Sequence, residues 1–374
     1  MEDRFTGMEK KQEGRLSALN NNIEGRLIGM EQKIEGLIHA RVSALEENIK
    51  GTLSRMEEKM EEKNSKMEKK IQHGLDRLIL LPSAIPTLTI DTPVPNIKQI
   101  SYVKSGRLWV LLPDFGDDYE DAGEIIQVDN NGNVKEKFYS SGPFCVSKDD
   151  ALLYKSDWFD KDEDEDEDED EDKYGDRVKK KTSEISTTLL KTKISEDMIG
   201  IYSSFVNGHI LVLIKTSTVT ESPWQQHFSY KITRYDENGR KIEDIWINDR
   251  IQGWRFWSSE YAYITENKNG DIIISGGKYT TVVGMDRSGE HRFRYSHPEN
   301  LTPVDICTDK YGHILVAFTC SIHLLDEDGA FQKILLNNAL SYIKFTCLCL
   351  DDKQNIYVGN NRGIVNVYKY LKDE

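Results

Sequence analysis

The sequence predicts an all-β six-bladed β-propeller preceded by a long α-helical coiled coil. Three observations predict it. Apolar residues recur with an eleven-residue period over residues 3–78, four prolines crowd the segment that follows, and six later strands share one pattern of residue classes.

The period is visible in GRLSALNNNIE from Gly14 and GRLIGMEQKIE from Gly25, with related units at Asp3, Ala40, Gly51 and Glu62. The seam runs from Phe5 to Leu78 in twenty steps over 73 residues, with Gln12 and Asn64 at its two polar places. That spacing is close to the ~3.6 of a straight helix and the ~3.67 of an eleven-residue repeat. It predicts a rod roughly 110 Å long at ~1.5 Å per residue. Gly14, Gly25, Gly29, Gly36 and Gly51 each cost about 1 kcal/mol relative to alanine. A lone helix carrying them is poorly populated, so the seam calls for a partner, most simply a second copy in a dimer.

The helix is expected to stop near Leu80. Pro82, Pro86, Pro93 and Pro95 follow, and proline cannot continue a helix. Between them Thr87-Leu88-Thr89-Ile90 alternates and is β-branched, which reads as a strand. The expected domains are a rod over 1–80 and a propeller over 81–374.

Six turn anchors, Gly106, Asp150, Gly208, Gly270, Gly312 and Gln354, each precede a hydrophobic strand. Two places after them stand Leu108, Leu152, Ile210, Ile272, Ile314 and Ile356, all aliphatic. Six before are Ile100, Phe144, Tyr202, Ile264, Ile306 and Leu348, all bulky; five before are Ser101, Cys145, Ser203, Thr265, Cys307 and Cys349, all small. Small side chains at one offset are what the innermost strand of a narrow channel needs. They also account for three of the five cysteines by packing rather than reactivity. Four units add an Asp-x-x-Gly turn, at Asp129, Asp236, Asp286 and Asp326. Four antiparallel strands repeated radially form a propeller. The second unit's third strand falls somewhere between Arg177 and Lys193. The sixth unit has room for three strands, and Thr87–Ile90 is expected to supply the fourth and close the ring.

The anchored strands and Asp-x-x-Gly turns resemble an NHL-repeat propeller. A coiled coil ahead of it resembles the C-terminal half of a tripartite-motif (TRIM) NHL protein. Full-length members begin with zinc-binding RING and B-box modules. Here the first cysteine is Cys145 and there is no Cys-x-x-Cys pair, so the resemblance implies no ubiquitin-ligase activity by this chain alone. It does leave assembly with full-length relatives through the rod.

Net charge is −15, but unevenly spread. Residues 1–80 sum to zero, 157–172 to −12 and the rest to −3. The acidic run Asp162–Asp172 reads as a disordered insertion over about 157–176. Such a field disfavours nucleic acid and membrane and favours a basic protein segment. Five cysteines do not make a disulfide framework, no stretch spans a bilayer, and a cytoplasmic chain is the default.

The insertions Pro113–Gly123, Asp162–Asp172 and Thr216–Phe228 are expected on one face of adjacent blades, with the loop entering unit four. They carry the candidate partner-binding residues Asp117, Asp118, Trp224, Trp254, Phe256, Trp257 and Tyr261. Catalysis has weaker support. The offset seven before the anchors reads Gln99, Pro143, Ile201, Tyr263, Asp305 and Cys347, and one acid makes no metal cage. His209 and His313 read as turn residues. The expectation is therefore an oligomeric adaptor that is not an enzyme and needs no cofactor. An RNA-binding NHL protein and a calcium-dependent propeller hydrolase are the alternatives.

Overall fold

The structure is a computed structural model that describes residues 2–93, 95–112, 123–140, 142–156, 174–182, 185–193, 195–218, 227–247, 262–276, 281–338 and 342–372. The chain divides into two compact units, Met1–Leu78 and Ile79–Glu374.

The first unit is a single helix, α1 (Glu2–Ile79). Over the described side chains its seam is on view: Leu16, Leu19, Ile23, Leu27, Met30, Ile34, Val42, Leu45, Ile49, Leu53 and Met60 are all exposed. A coiled coil requires a second helix, and α1 is the one helix among the described residues, so the coiled coil itself is not established.

The second unit holds six four-stranded sheets among the described residues. Blade 1 is β2 (Gln99–Val103), β3 (Arg107–Leu111), β4 (Gly123–Val128) and β5 (Val134–Ser140). Blade 2 is β6 (Phe144–Val146), β7 (Leu152–Ser156), β8 (Tyr174–Thr182) and β9 (Ile185–Lys193). Blade 3 is β10 (Glu196–Ser203), β11 (Ile210–Thr218), β12 (His227–Tyr235) and β13 (Lys241–Trp246). Blade 4 is β14 (Ala262–Glu266), β15 (Ile272–Gly276), β16 (Thr281–Met285) and β17 (His291–Ser296). Blade 5 is β18 (Pro303–Thr308), β19 (Ile314–Phe318), β20 (Ser321–Leu325) and β21 (Phe331–Asn337). Blade 6 is β22 (Phe345–Leu350), β23 (Ile356–Asn360) and β24 (Ile364–Leu371), finished by β1 (Leu80–Asp91). Every described pairing is antiparallel, and β2, β6, β10, β14, β18 and β22 touch in sequence, with β22 returning to β2. This is a closed six-bladed propeller.

Strands in the middle of a blade are sandwiched between neighbouring blades, so β19 and β23 are buried at every residue. Fourth strands face solvent and alternate, as in β5 and β17. All six anchors have positive φ, from 64° at Asp150 to 98° at Gly312, which is why glycine takes four of these six places, with Asp150 and Gln354 at the other two. β1 pairs with β24 from Leu80 to Asp91, so it starts seven residues before the expected Thr87. It tolerates Pro82 and Pro86 because an outermost strand needs donors on one side only. In blade 2 the stretch from 177 to 193 holds both a third and a fourth strand; the third starts earlier, at Tyr174.

Candidate functional site

The candidate residues chosen from the sequence, Asp117, Asp118, Trp224, Trp254, Phe256, Trp257 and Tyr261, lie outside the described residues, as does the run Asp162–Asp172. What the structure does display is the axial channel walled by the six innermost strands.

Cross-strand register decides which residue fills each channel position. The residue three after the anchor pairs with Ser101, Cys145, Thr265, Cys307 and Cys349 in five blades. In blade 3 the equivalent Leu211 pairs with Tyr202, not with Ser203. The reason is local. In five hairpins the anchor N–H donates to the carbonyl three residues back, whereas Gly208 N–H donates to Ser204, four back. The turn is one residue longer, so Ile201 takes the bulky place, Gly200 the place before it and Tyr202 the small one. An aliphatic residue at 201, matching the other five bulky places, was the sequence signal for this shift.

Tyr202 therefore stands where its counterparts are serine, cysteine or threonine. Its hydroxyl lies near the Thr265 and Thr308 side chains of blades 4 and 5, and burial pushes its pKa up to about 12. Thr308 Oγ1 in turn donates to the Glu266 carbonyl at 2.9 Å and lies 3.1 Å from Thr265 Oγ1. The ring thus reaches from blade 3 past blade 4 to blade 5. Two cavities meet at this level. One, of about 140 Å³, extends along the strands to Gln99, Pro143, Tyr263 and Asp305. The other, of about 430 Å³, opens between the hairpin turns and is bordered by Lys104, Lys148, Phe205, Lys310 and Asp352.

Asp305 is the one carboxylate among the described residues bordering the smaller cavity. Its Oδ1 accepts the Ile306 N–H and its Oδ2 the Leu348 N–H, each at 2.8 Å, which ties β18 to β22. Burial pushes its pKa up to about 7, and the two backbone N–H bonds pull the other way. The channel thiols are not nucleophiles at neutral pH. Burial pushes Cys145 up to about 12, and burial with the Asp305 charge raises Cys307 and Cys349 well above the ordinary range.

No group of three or more His, Cys, Asp or Glu among the described residues is arranged to hold a metal ion. A calcium ion takes ~6–8 oxygen ligands. At the channel level the described wall offers one carboxylate already engaged by two N–H groups, and the Gln99 amide is engaged by the backbone of Phe144. These residues do not fit a calcium centre. His313 belongs to the turn of blade 5, where its Nδ1 lies 2.7 Å from Asp309 Oδ2, which also accepts the Tyr370 hydroxyl at 2.8 Å.

No family model matches the chain, and no curated protein matches it. The TRIM–NHL resemblance therefore rests on the repeat pattern alone. Among solved structures the chain is similar to a gluconolactonase from Xanthomonas campestris, at 9% identity over 79% of this chain and 100% of that one, with a TM-score of 0.48. It is similar to a streptogramin B lyase at 14% identity over 76% and 97%, TM-score 0.44. A Bacteroides caccae protein of unknown function matches at 14% identity over 68% and 82%, TM-score 0.47. Likeness at this level reaches no further than the propeller architecture. It does correct one expectation. A gluconolactonase and a streptogramin B lyase are among these similar propellers, and the expectation that the chain is not an enzyme is withdrawn. No helix among the described residues is long and apolar enough to cross a membrane.

Proposed function

We propose that the axial channel takes up a small polar molecule and that Asp305 serves it as an acid–base group. One observation carries this reading: among the described residues a single carboxyl group borders the channel cavity, and burial pushes its pKa up to about 7, where such a group both gives and takes a proton. Hydrolysis of a small ester or lactone is the reaction class that such a group serves. Asp305 as carboxylate accepts a proton from the attacking water; the water oxygen bonds to the acyl carbon; the acyl–oxygen bond breaks, and the proton returns to the leaving oxygen. The similarity to a gluconolactonase transfers no activity at its identity, and no step runs through a cation. The test is a panel of lactones and esters followed by pH-stat with the full chain and Asp305→Asn. Turnover that rises through an apparent pKa near 7 and is lost in the folded variant supports the reading. An Asp305 carboxyl titrating below pH 5 by carbon-13 NMR, or a variant with an unchanged profile, refutes it.

The helix supports a separate proposal, self-association. Its apolar row is exposed along the described length, from Leu16 to Met67. A second copy in a parallel or antiparallel pair covers that row, which water alone does not favour.

A further inference from the structure

We propose that the larger cavity, between the hairpin turns, is a separate binding site for a neutral polyhydroxylated molecule of mono- or disaccharide size. Asp305 does not border it, so this site stands or falls independently of the acid–base reading.

Size is the first argument. About 430 Å³ lies within the ~300–1,000 Å³ of small-molecule sites.

Charge balance is the second. Lys104, Lys148 and Lys310 border the cavity, and so do Asp150, Asp351 and Asp352. Over the described residues the formal sum is zero, which disfavours an anion or cation as ligand. The groups are also held in place. Lys104 Nζ donates to the Lys148 carbonyl at 3.0 Å, and Lys148 Nζ to the Val206 carbonyl at 3.4 Å, so each turn's lysine is tethered to the next blade. Asp351 is fixed by the Asn355 amide at 2.8 Å, and Asp150 Oδ1 accepts the Lys104 N–H at 3.3 Å. An ammonium retains further donors after one such bond, and a carboxylate retains further lone pairs. Donors and acceptors interleaved around one rim match a hydroxyl group, which both gives and takes a hydrogen bond. A simple ion uses one kind of partner only.

The third argument is an unmatched polar atom. Ser203 is 8% exposed, borders this cavity, and its Oγ has no hydrogen-bond partner. A buried hydroxyl is costly to leave without a partner, and a ligand hydroxyl at the cavity wall would pair it. The fourth is apolar. The Phe205 ring is 40% exposed at the lip, where it offers a flat surface to the C–H face of a sugar ring.

Saturation-transfer NMR with the full chain tests this with D-glucose, maltose, inorganic phosphate and glycine as probes. The expected result is transfer to a saccharide and none to phosphate or glycine. Phe205→Ala should weaken the saccharide about tenfold, and Asp305→Asn should leave it unchanged. Lys148→Met serves as the second variant should Phe205→Ala not fold, with the same weakening expected. Phosphate or glycine binding as strongly as the saccharide overturns the proposal in favour of an ion site. Saccharide binding that neither variant alters overturns it in favour of another location, and no transfer to either saccharide overturns it outright.

Discussion

Arg234 and Glu266 form a buried ion pair between blades 3 and 4, and breaking it one side at a time should be far more damaging than removing both. The side chains are each 1% exposed, with Arg234 Nη1 2.7 Å from Glu266 Oε1. Arg234 Nε also lies 3.2 Å from Glu243 Oε1, but that carboxylate is 47% exposed and screened by water. In Glu266→Gln the guanidinium keeps its charge and loses its buried counter-ion. Breaking a buried pair by one partner costs about 3–5 kcal/mol. The double variant Arg234→Met, Glu266→Leu removes both charges and fills similar volume. Arg234 Nη2 and Glu266 Oε2 lack hydrogen-bond partners, so the existing pair is not fully satisfied and its apolar replacement carries little loss. The double variant should therefore fall within about 1–2 kcal/mol of the parent, with a coupling energy of at least ~2 kcal/mol. Urea unfolding of the parent, both singles and the double measures this, read from midpoints at constant slope. Additive losses in the double variant would show that each side chain acts through its own packing, and the ion-pair reasoning would be wrong.

Asp305 carries a pH signature. Its folded pKa of about 7 lies above the ordinary 3.8, so its stabilising contribution is complete below pH ~3.8 and is lost as pH rises through 7. Between pH 5 and 7 the parent should lose about 2–3 kcal/mol relative to Asp305→Asn, measured as the divergence of their urea midpoints. Gly106 and Gly132 separate backbone strain from collision. Both have φ near 80°, but a Cβ on Gly132 collides with the Asp91 carbonyl oxygen, while one on Gly106 meets nothing closer than 3.6 Å. Gly106→Ala should cost about 1–2 kcal/mol in thermal unfolding and Gly132→Ala clearly more; equal losses would remove the collision argument. The full chain should sediment as a multiple of 43.1 kDa, and Leu27→Glu with Leu45→Glu should return it to one mass; a monomeric parent at micromolar concentration defeats the self-association proposal.

Much of the propeller was readable from local chemistry. Gly106, Gly270 and Gly312 mark hairpins because the chain there adopts positive φ, a demand that L-residues meet poorly. The aliphatic residues two places after each anchor are buried because the strand between two blades has no solvent face. The site was less legible. The loops chosen for their tryptophans and carboxylates fall outside the described residues, and the channel residue Tyr202 was misplaced by one position. A single extra residue in a hairpin reverses which side chain faces the channel, since side chains alternate with a period of two. The anchor glycine does not record that insertion.

The sequence by itself determined the number of blades, the turn that starts each one, the class of residue at each channel level in five of the six blades and an apolar row on a helix of about 3.65 residues per step. All of these are written in spacing and residue type, which local backbone geometry reads directly. Only the tertiary structure decided that Tyr202 lines both cavities, that Asp305 is buried with its pKa raised, and that lysines of one turn are tethered to the next. Those properties arise from burial and from contacts between blades, between residues tens of positions apart. A one-dimensional pattern carries the identity of such residues but not the desolvation or the distance that gives them their chemistry.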